Sequence, residues 1–445
     1  MKRIDIQVNG GSGLLFNNIK TLEEFLKIEL NHLKYGKTFI IPTFITDSNE
    51  NLEQFVKILL ERISYNEKIY NIENDTIILP KLWGIHIEGP FITNKGTHPE
   101  RHLKDFDEEN VSKIIEILKP LGDLPIIITI APELILKDTK NRIKLIKKLK
   151  NKLNITISAG HTKITKEDFE KLQNELGEDR YTQLTHLHNA MLEGHFKGET
   201  NGIPSYLLND EFDGFFGFIT DGQHTSNGEL LPTLLNYPDK ICIISDCASP
   251  ACCIIDENNN LFRMGDSIGI VEQKNNELPS FFWTDFSKNP SDEIKNKNVP
   301  LEKLYKMYIN GEGGYKTLAG SAVNLDQCYF FLKNFDIEKE IQKSNKNEKT
   351  KKLLEIGLKK NNLKKEDIRN FIDKNLDRML FDNPIIAINI DKDINNYEIE
   401  QDGLLKNGKL FIKFNDTMNN FLEQSIEDQT KLKEELMEQL KKYIK

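Results

Sequence analysis

The sequence has few cysteines, no long apolar run and no basic stretch interleaved with aromatic residues. Its five cysteines are too scattered for a disulfide framework, and the adjacent Cys252 and Cys253 do not form a CxxC pair, so we expect reduced thiols in a cytoplasmic protein. No apolar run approaches the ~18 residues of a membrane span, and the N-terminal MKRIDIQVNGG turns polar too early for a signal peptide. The net charge of −9 and the missing basic patch argue against nucleic acid as a partner.

Short β-rich runs alternate with helical patterns through the first half of the 445 residues. The sequence predicts eight strands, at residues 4–8, 38–41, 82–87, 126–130, 155–159, 183–187, 215–219 and 241–245. Most are separated by segments with apolar residues at positions i, i+3, i+4 and i+7, the pattern of an amphipathic helix. Alternating strands and helices indicate a parallel sheet, and eight such units predict a closed (β/α)8 barrel of the TIM type with the helices outside. A doubly wound open sheet is the alternative fold.

The regular alternation of strands and helices ends after the eighth predicted strand. Residues 248–273 predict a long loop with a hairpin, and residues 315–335 predict a turn that opens the last barrel helix. Residues 336–370 read as a charged helical insertion. We therefore expect residues 1–382 to form the barrel domain, including this insertion.

Residues 383–445 are predicted to form a small C-terminal β region followed by a helix. Segments 384–391 and 403–415 are strand-like, and an Asn-Gly turn in the second predicts a hairpin. Residues 421–445 predict a charged amphipathic helix.

Polar junctions follow the predicted strands, and in a barrel they would gather at the C-terminal end, where active sites lie. Glu88, His161 and His186 offer one carboxylate and two imidazoles from three strands, a donor set that suits a hydrolytic zinc site. The alternative is that they are hydrogen-bonded polar residues lining a pocket. Side chains alternate along a strand, so His186 and His188 of THLHNAM would lie on one side of the sixth strand. The spacing alone leaves open whether both bind a metal.

Two further junction residues are candidates for chemistry. Asp246 follows the eighth strand and could take a proton from a metal-bound water and pass it to a leaving group. Its alternative role is an N-cap of the next turn. His224, in TDGQH, lies five residues past the seventh predicted strand and is expected to contact substrate or to polarise its carbonyl.

Seven motifs carry a family resemblance. In order, HIEGPFITNKGTHPE, APE, AGHT, THLHNAM, TDGQH, ISDCASPA and TLAGSA resemble those of the N-acetylglucosamine-6-phosphate deacetylase family, in the amidohydrolase superfamily of metal-dependent barrel hydrolases. The resemblance extends from about Asp5 to Leu325, and its specific parts are the EGPF…KG.H block and the GHT and THL.NAM pair. It implies deacetylation of N-acetylglucosamine 6-phosphate with a divalent metal ion, and zinc is the metal we expect.

The resemblance also implies roles by position. Glu88, His161 and His186 match the family's metal ligands, and Asp246 matches its general base and acid. His186 is then the ligand, and His188 is implied to be a bystander. The residues implied to bind substrate are Thr97, His98, Asn189, Ala190, Lys197, His224, Leu318 and Ala319.

The sequence departs from the family pattern at two places. Many amidohydrolases carry His-x-His after the first strand and bind two metals, whereas this chain has Gln7 and Asn9 there. Amides are poor zinc ligands, so we expect one metal ion. Lys197 stands where the family has an arginine, and lysine binds phosphate as a point charge without a bidentate fork.

The lysine keeps other functions open. One alternative is a hydrolase of the same fold that acts on another amide or cyclic amide, as dihydroorotases do. Another is a non-catalytic sugar-phosphate binder. The expected partner is a small amino-sugar phosphate, with neither a membrane nor nucleic acid, and a homodimer stays open because family members are often dimers.

Overall fold

The structure, a computed structural model, describes most of the chain. The described residues are 2–72, 75–192, 201–207, 212–225, 227–253, 255, 261–264, 267–273, 278–284 and 316–423.

Eight parallel strands form a barrel. They are Arg3–Val8, Thr38–Ile45, Ile85–Glu88, Ile126–Thr129, Ile155–Ala159, Gln183–Leu184, Phe215–Ile219 and Ile241–Ile244. Each pairs with the next in chain order. The ring closes where Val8 bridges Cys247 and the Asn9 N–H donates to the Cys247 carbonyl at 2.8 Å. The predicted TIM-like barrel is confirmed, because this closure excludes the open sheet.

The prediction for the sixth strand is wrong at its C-terminal end. The strand stops at Leu184, where the sequence predicted residue 187. His186 and His188 have φ values of 32° and 77°, in the left-handed region, so they are not extended and the alternation of side chains does not apply to them.

Helices cover the outside of the barrel, and their starts follow from the sequence. Thr21 and Glu24 form a capping box at the first helix, and Ser48, Asp107 and Thr165 cap later ones by accepting backbone N–H groups. The helices up to the end of the barrel are Leu22–Gly36, Asn49–Ser64, Glu108–Leu118, Pro132–Leu136, Thr139–Lys152, Lys166–Leu176, Ile203–Leu207, Leu230–Asn236 and Leu325–Asn334. Short 3-10 segments are Glu100–His102, Lys119–Leu121, Gly177–Asp179, Lys365–Asp367 and Lys392–Asn396.

The region after the eighth strand holds more sheet than the predicted hairpin. Strands Leu261–Met264, Ser267–Glu272, Ser280–Thr284 and Lys316–Leu318 form one antiparallel sheet. Buried Phe262 and Phe281 join it to Ala248 and Ala319 in a small apolar cluster. Two-stranded ribbons add Gly10–Gly11 with Leu14–Leu15, and Ile69–Ile72 with Asp75–Ile78.

The insertion at 336–370 is helical, as predicted. It contains Ile337–Ser344 and Glu348–Lys360, and Ile368–Asp377 continues into a π-helical turn, Arg378–Asp382. It packs on the barrel helix Leu230–Asn236. A Cβ on Gly357 would lie 2.8 Å from the Leu235 Cβ, so glycine permits this close approach.

One C-terminal prediction is wrong and another is confirmed. Residues 384–391 are not a strand, because Asn383–Ala387 is a helix whose first turn tolerates Pro384. The hairpin is present as Gly403–Lys406 and Lys409–Lys413, with positive φ at both turn residues, and Tyr397–Ile399 adds a third strand.

The predicted terminal helix is described only at its start. Asp416–Glu423 is helical, and residues 424–445 lie outside the described residues. The division into two domains stays a prediction. None of the helices in the described ranges has the length and apolarity needed to cross a membrane.

A buried ion pair joins the first two barrel helices. The Arg62 guanidinium, which is fully buried, donates to both Glu29 oxygens at 2.7 and 2.8 Å and to the Pro80 carbonyl at 2.7 Å. Removing Glu29 alone would leave a buried, uncompensated charge. Replacing both partners with apolar residues would not.

We expect Glu29→Leu to lower the free energy of unfolding by about 3–5 kcal/mol, because Arg62 loses its counter-ion. The free energy of unfolding should fall clearly less in the double variant Glu29→Leu, Arg62→Met. Urea unfolding followed by circular dichroism measures both. Equal losses in the two variants would show that the cost comes from packing and not from the unpaired charge.

Candidate active site

The polar residues predicted to carry chemistry lie at the C-terminal mouth of the barrel. Glu88 is the last residue of the third strand. His161, His186 and Asp246 each lie two residues past the end of their own strand, with φ values of 49°, 32° and 50°. A left-handed conformation in a residue other than glycine costs of order 1–3 kcal/mol. The fold therefore stores backbone strain at three of the four positions.

Three donor atoms converge at the centre of the mouth. The Glu88 Oε1 lies 3.2 Å from the His161 Nε2 and 2.8 Å from the His186 Nε2, and the two nitrogens are 3.0 Å apart. All three side chains are buried. Ligands about 2.0–2.2 Å from one zinc ion lie roughly 3 Å from each other, so this spacing fits a single ion.

The ring orientation and charges also fit a metal. The His161 Nδ1 donates to the Asn94 carbonyl at 2.7 Å, so the Nε2, which faces Glu88, is the ring nitrogen that can exchange its proton for a metal ion. Burial opposes ionisation of Glu88, yet hydrogen bonds from both histidines hold its pKa well below the ordinary value. Burial would lower the pKa of His186, and Glu88 instead raises it to about 9. The Glu88 carboxylate thus requires a positive charge among these rings, which a proton or a metal ion can supply.

A second triad of possible ligands includes His98 in place of His186. The ligand atoms of Glu88, His98 and His161 lie within 4.8 Å of one another. The Thr46 N–H, however, donates to the His98 Nδ1 at 3.3 Å, and burial lowers the pKa of His98 to about 3. The neutral ring therefore carries its proton on Nε2, which is a donor and not a ligand. We take Glu88, His161 and His186 as the donor set.

Asp246 is held by two amides from the first strand. Its Oδ1 accepts from the Gln7 Nε2 and the Asn9 Nδ2, both at 2.9 Å. The Gln7 Nε2 also lies 3.2 Å from the Glu88 Oε1, so one amide group bridges the two carboxylates. Burial, followed by the charge of Glu88, raises the pKa of Asp246 to about 6. These bonds could not be foreseen from the sequence, because they form only when the first strand closes against the eighth.

His224 has its own carboxylate partner. Its Nδ1 donates to the Asp221 Oδ2 at 2.7 Å, and the other Asp221 oxygen accepts the N–H groups of Gln223 and His224, each at 2.9 Å. Burial acts to lower the pKa of His224, and Asp221 raises it above the ordinary value. Sequence reasoning did not single out Asp221, although its place in TDGQH, three residues before His224, was the available signal.

One cavity of about 360 Å³ collects the candidate residues. The predicted residues that line it are Glu88, Thr97, His98, His161, His186, Asn189, Ala190, His224, Asp246, Leu318 and Ala319. Lys197 lies outside the described residues. His188 is not among the lining residues, and its ring faces Phe218 with centroids 6.1 Å apart. Gln223 and Asn227, which the sequence did not single out, add two carboxamides to the wall.

Comparison with known proteins shows which enzymes this chain is similar to. No protein-family model matches the chain. It is 30% identical over 251 residues to N-acetylglucosamine-6-phosphate deacetylase of Haemophilus influenzae, covering 56% of this chain and 58% of that enzyme. It is also 30% identical over 250 residues to N-acetylgalactosamine-6-phosphate deacetylase of a Shewanella species, with 56% of each covered. Over about half of its length, the chain is therefore similar in sequence to N-acetylglucosamine-6-phosphate deacetylases.

A solved structure of a relative supports the fold. The N-acetylglucosamine-6-phosphate deacetylase from Pasteurella multocida superposes with a TM-score of 0.56 at 22% identity, over 92% of this chain and 79% of that one. At this identity the likeness shows the shared fold. The family resemblance predicted from the motifs is confirmed, and the chain spans less than 60% of the length of the two curated relatives.

The two histidines of THLHNAM should differ in metal binding. We expect the chain to retain about one equivalent of a divalent ion, and His186→Asn to lose it, because three protein ligands hold such an ion. His188→Asn is the matched control and should retain the metal. Elemental analysis after dialysis, with circular dichroism to check folding, measures this. Loss of metal from the folded His188→Asn variant would contradict the assignment.

Proposed function

We propose that the chain is a cytoplasmic deacetylase that hydrolyses N-acetylglucosamine 6-phosphate to glucosamine 6-phosphate and acetate. The observation that carries the proposal is the placement of Asp246 beside the Glu88, His161 and His186 donor set in one cavity. A metal site with an adjacent carboxylate is an arrangement that can activate water for the hydrolysis of an amide. The two relatives compared above are named for N-acetylated hexosamine 6-phosphates, and the proposal carries that substrate class to this chain.

The chemistry divides between a metal ion and the protein. Glu88, His161 and His186 would hold a divalent ion, with zinc expected, and this ion would supply an activated water near neutral pH and polarise the acetyl carbonyl. Asp246 takes one proton from the attacking water as the water oxygen bonds to the carbonyl carbon. The same proton then passes from Asp246 to the amine nitrogen as the carbon–nitrogen bond breaks. The products are acetic acid and the free amine, and near neutral pH the acid ionises to acetate while the amine takes up that proton.

Further residues are assigned to binding and charge stabilisation. His224 donates from its ring to the acetyl oxygen as negative charge develops there, and Asp221 fixes that ring through Nδ1. Neutral His98 offers an N–H to the substrate, beside Thr97. We assign Asn189 and Ala190, with Lys197, to the sugar phosphate, and Leu318 and Ala319 to the wall of the sugar pocket.

Gln7 and Asn9 support the use of a single metal ion. Their amide nitrogens donate to Asp246, and Gln7 also reaches Glu88. A donor N–H cannot ligate a cation, so on the first-strand side of Asp246 hydrogen bonds take the place of a second set of ligands. The amides also leave the Asp246 Oδ2 without a bond to them, and this is the oxygen we assign to proton transfer.

Asp246→Asn should keep the metal and lose turnover. We expect kcat to fall by about 10²–10⁴-fold, because an amide cannot carry the proton from water to the amine. Steady-state acetate release with the zinc-loaded variant, together with its metal content, measures this. Activity near that of the wild type in a variant with a full complement of metal would show that another group transfers the proton.

The substrate assignment is tested by comparing sugars. We expect the zinc-loaded protein to release acetate from N-acetylglucosamine 6-phosphate and not from unphosphorylated N-acetylglucosamine, because the phosphate supplies much of the binding. N-acetylgalactosamine 6-phosphate, named in the Shewanella relative, is the third substrate to assay. Release from both glucosamine compounds at equal rates would remove phosphate recognition from the proposal. No release from any of the three would move the search to other amides.

A further inference from the structure

The APE motif after the fourth strand has no part in the chemistry described above. Its glutamate, Glu133, lies in the short helix Pro132–Leu136 at the barrel mouth and does not line the cavity. The carboxylate is nevertheless fully engaged. Its Oε1 accepts the Lys163 N–H at 2.7 Å and the Thr93 hydroxyl, and its Oε2 accepts the Thr162 hydroxyl. Glu133 therefore ties the loop after the third strand to the loop after the fifth.

The first of these loops holds His161 from two sides. The N–H groups of Thr93 and Asn94 donate to the His161 carbonyl at 3.2 and 2.8 Å. The Asn94 carbonyl in turn accepts the His161 Nδ1 at 2.7 Å. Residues 93–94 thus fix both the backbone and the ring of this proposed metal ligand, and Glu133 bonds the side chain of Thr93.

The same loop continues into the cavity wall. A Cβ on Gly96 would lie 3.2 Å from the His161 Cε1, so the loop passes directly over the imidazole. The His98 ring stacks edge-on against His161, with centroids 4.4 Å apart. Residues 96–98, which include the Thr97 and His98 that we assign to substrate, therefore pack against the proposed metal ligand His161.

Thr162 extends the connection to the loop after the sixth strand. Its N–H donates to the Ala190 carbonyl at 3.0 Å, and its carbonyl accepts the Leu192 N–H at 3.0 Å. The Thr162 hydroxyl, bonded to Glu133, thus belongs to a residue that also holds the segment carrying Asn189 and Ala190. Glu133 is the one carboxylate among the described residues that bonds both the 93–94 segment and the 162–163 segment.

We propose that Glu133 is a positioning residue that locks His161 in place as a metal ligand and holds the wall at 96–98 over the cavity. Hydrogen bonds to an ionised carboxylate are stronger than neutral ones, and its two oxygens satisfy three donors here. Glutamine has only one accepting oxygen, so Glu133→Gln leaves at least one of these donors without its partner. The substrate half of this proposal rests on the proposed function, and the metal half does not.

The test measures metal affinity without any substrate. Zinc affinity of Glu133→Gln is determined by competition with a chromophoric chelator, and we expect it to fall about 10–100-fold, the range typical when a group that orients a ligand is lost. Thr93→Val removes one donor to Glu133 and keeps the carboxylate, so its zinc affinity should fall less than that of Glu133→Gln. An affinity equal to that of the wild type in folded Glu133→Gln would overturn the proposal.

Asp105→Asn is the matched control. This carboxylate bonds Arg142 and Lys137 and has no described contact with the His161 loop. We expect it to lower Tm while leaving zinc affinity unchanged. If Asp105→Asn and Glu133→Gln weaken zinc binding equally, Glu133 is only a stabilising residue and the proposal is wrong.

The substrate half has a separate readout. At saturating zinc, Glu133→Gln should raise KM for N-acetylglucosamine 6-phosphate, because the wall at 96–98 loses its support. An unchanged KM in a variant with weakened zinc binding would overturn that half. If the wild type releases no acetate from any of the sugars, the proposed function fails, and the zinc comparison still decides the role of Glu133.

Discussion

The buried negative charge of Glu88 is the constraint on which the barrel mouth depends. An ionised carboxylate away from water is unstable unless it is paired and hydrogen-bonded. Here it receives bonds from His161, His186 and Gln7, which come from three other strands or their loops. Because each partner arrives from a different part of the ring, the pairing of Glu88 requires the barrel to be closed. The charge therefore links the integrity of the fold to the assembly of the site.

A second buried carboxylate, that of Asp5, also helps to close the barrel. Asp5, buried on the first strand, accepts the Ser245 N–H at 3.2 Å and the Ser245 hydroxyl, and it also accepts the Gln7 N–H at 3.2 Å. It thus joins the first strand to the segment that carries Asp246. Burial raises the pKa of Asp5 to about 7, and the donors from Ser245 and Gln7 oppose that rise. These hydrogen bonds of Asp5 fix the first strand against the segment that carries Asp246. In that position Gln7 reaches both Glu88 and Asp246.

The sequence predicted the barrel well because its signals are local. Strand runs and helical periodicity are set by neighbouring residues. It failed where tertiary contacts override local preference, as at His186, which leaves the strand, and at Pro384, which starts a helix. The candidate ligands could be proposed from their places after the strands, whereas Asn94 and Glu133, which lie far from His161 in the sequence, could not be matched to it without the fold. The chemical roles themselves stay predictions.

Strain at the mouth explains why those partners matter. His161, His186 and Asp246 adopt left-handed φ values that glycine would accept without cost, but glycine has no donor atom. Each strained residue has its carbonyl held by a backbone N–H: Asn94 bonds His161 at 2.8 Å, Asn189 bonds His186 at 2.9 Å, and Ser321 bonds Asp246 at 2.8 Å. The strain is tolerated because backbone N–H groups of the loops hold the carbonyls of these three residues. The positions of the donor atoms are therefore set by the loop backbone, and a change at a loop residue that does not line the cavity, such as Asn94 or Ser321, can still alter the site.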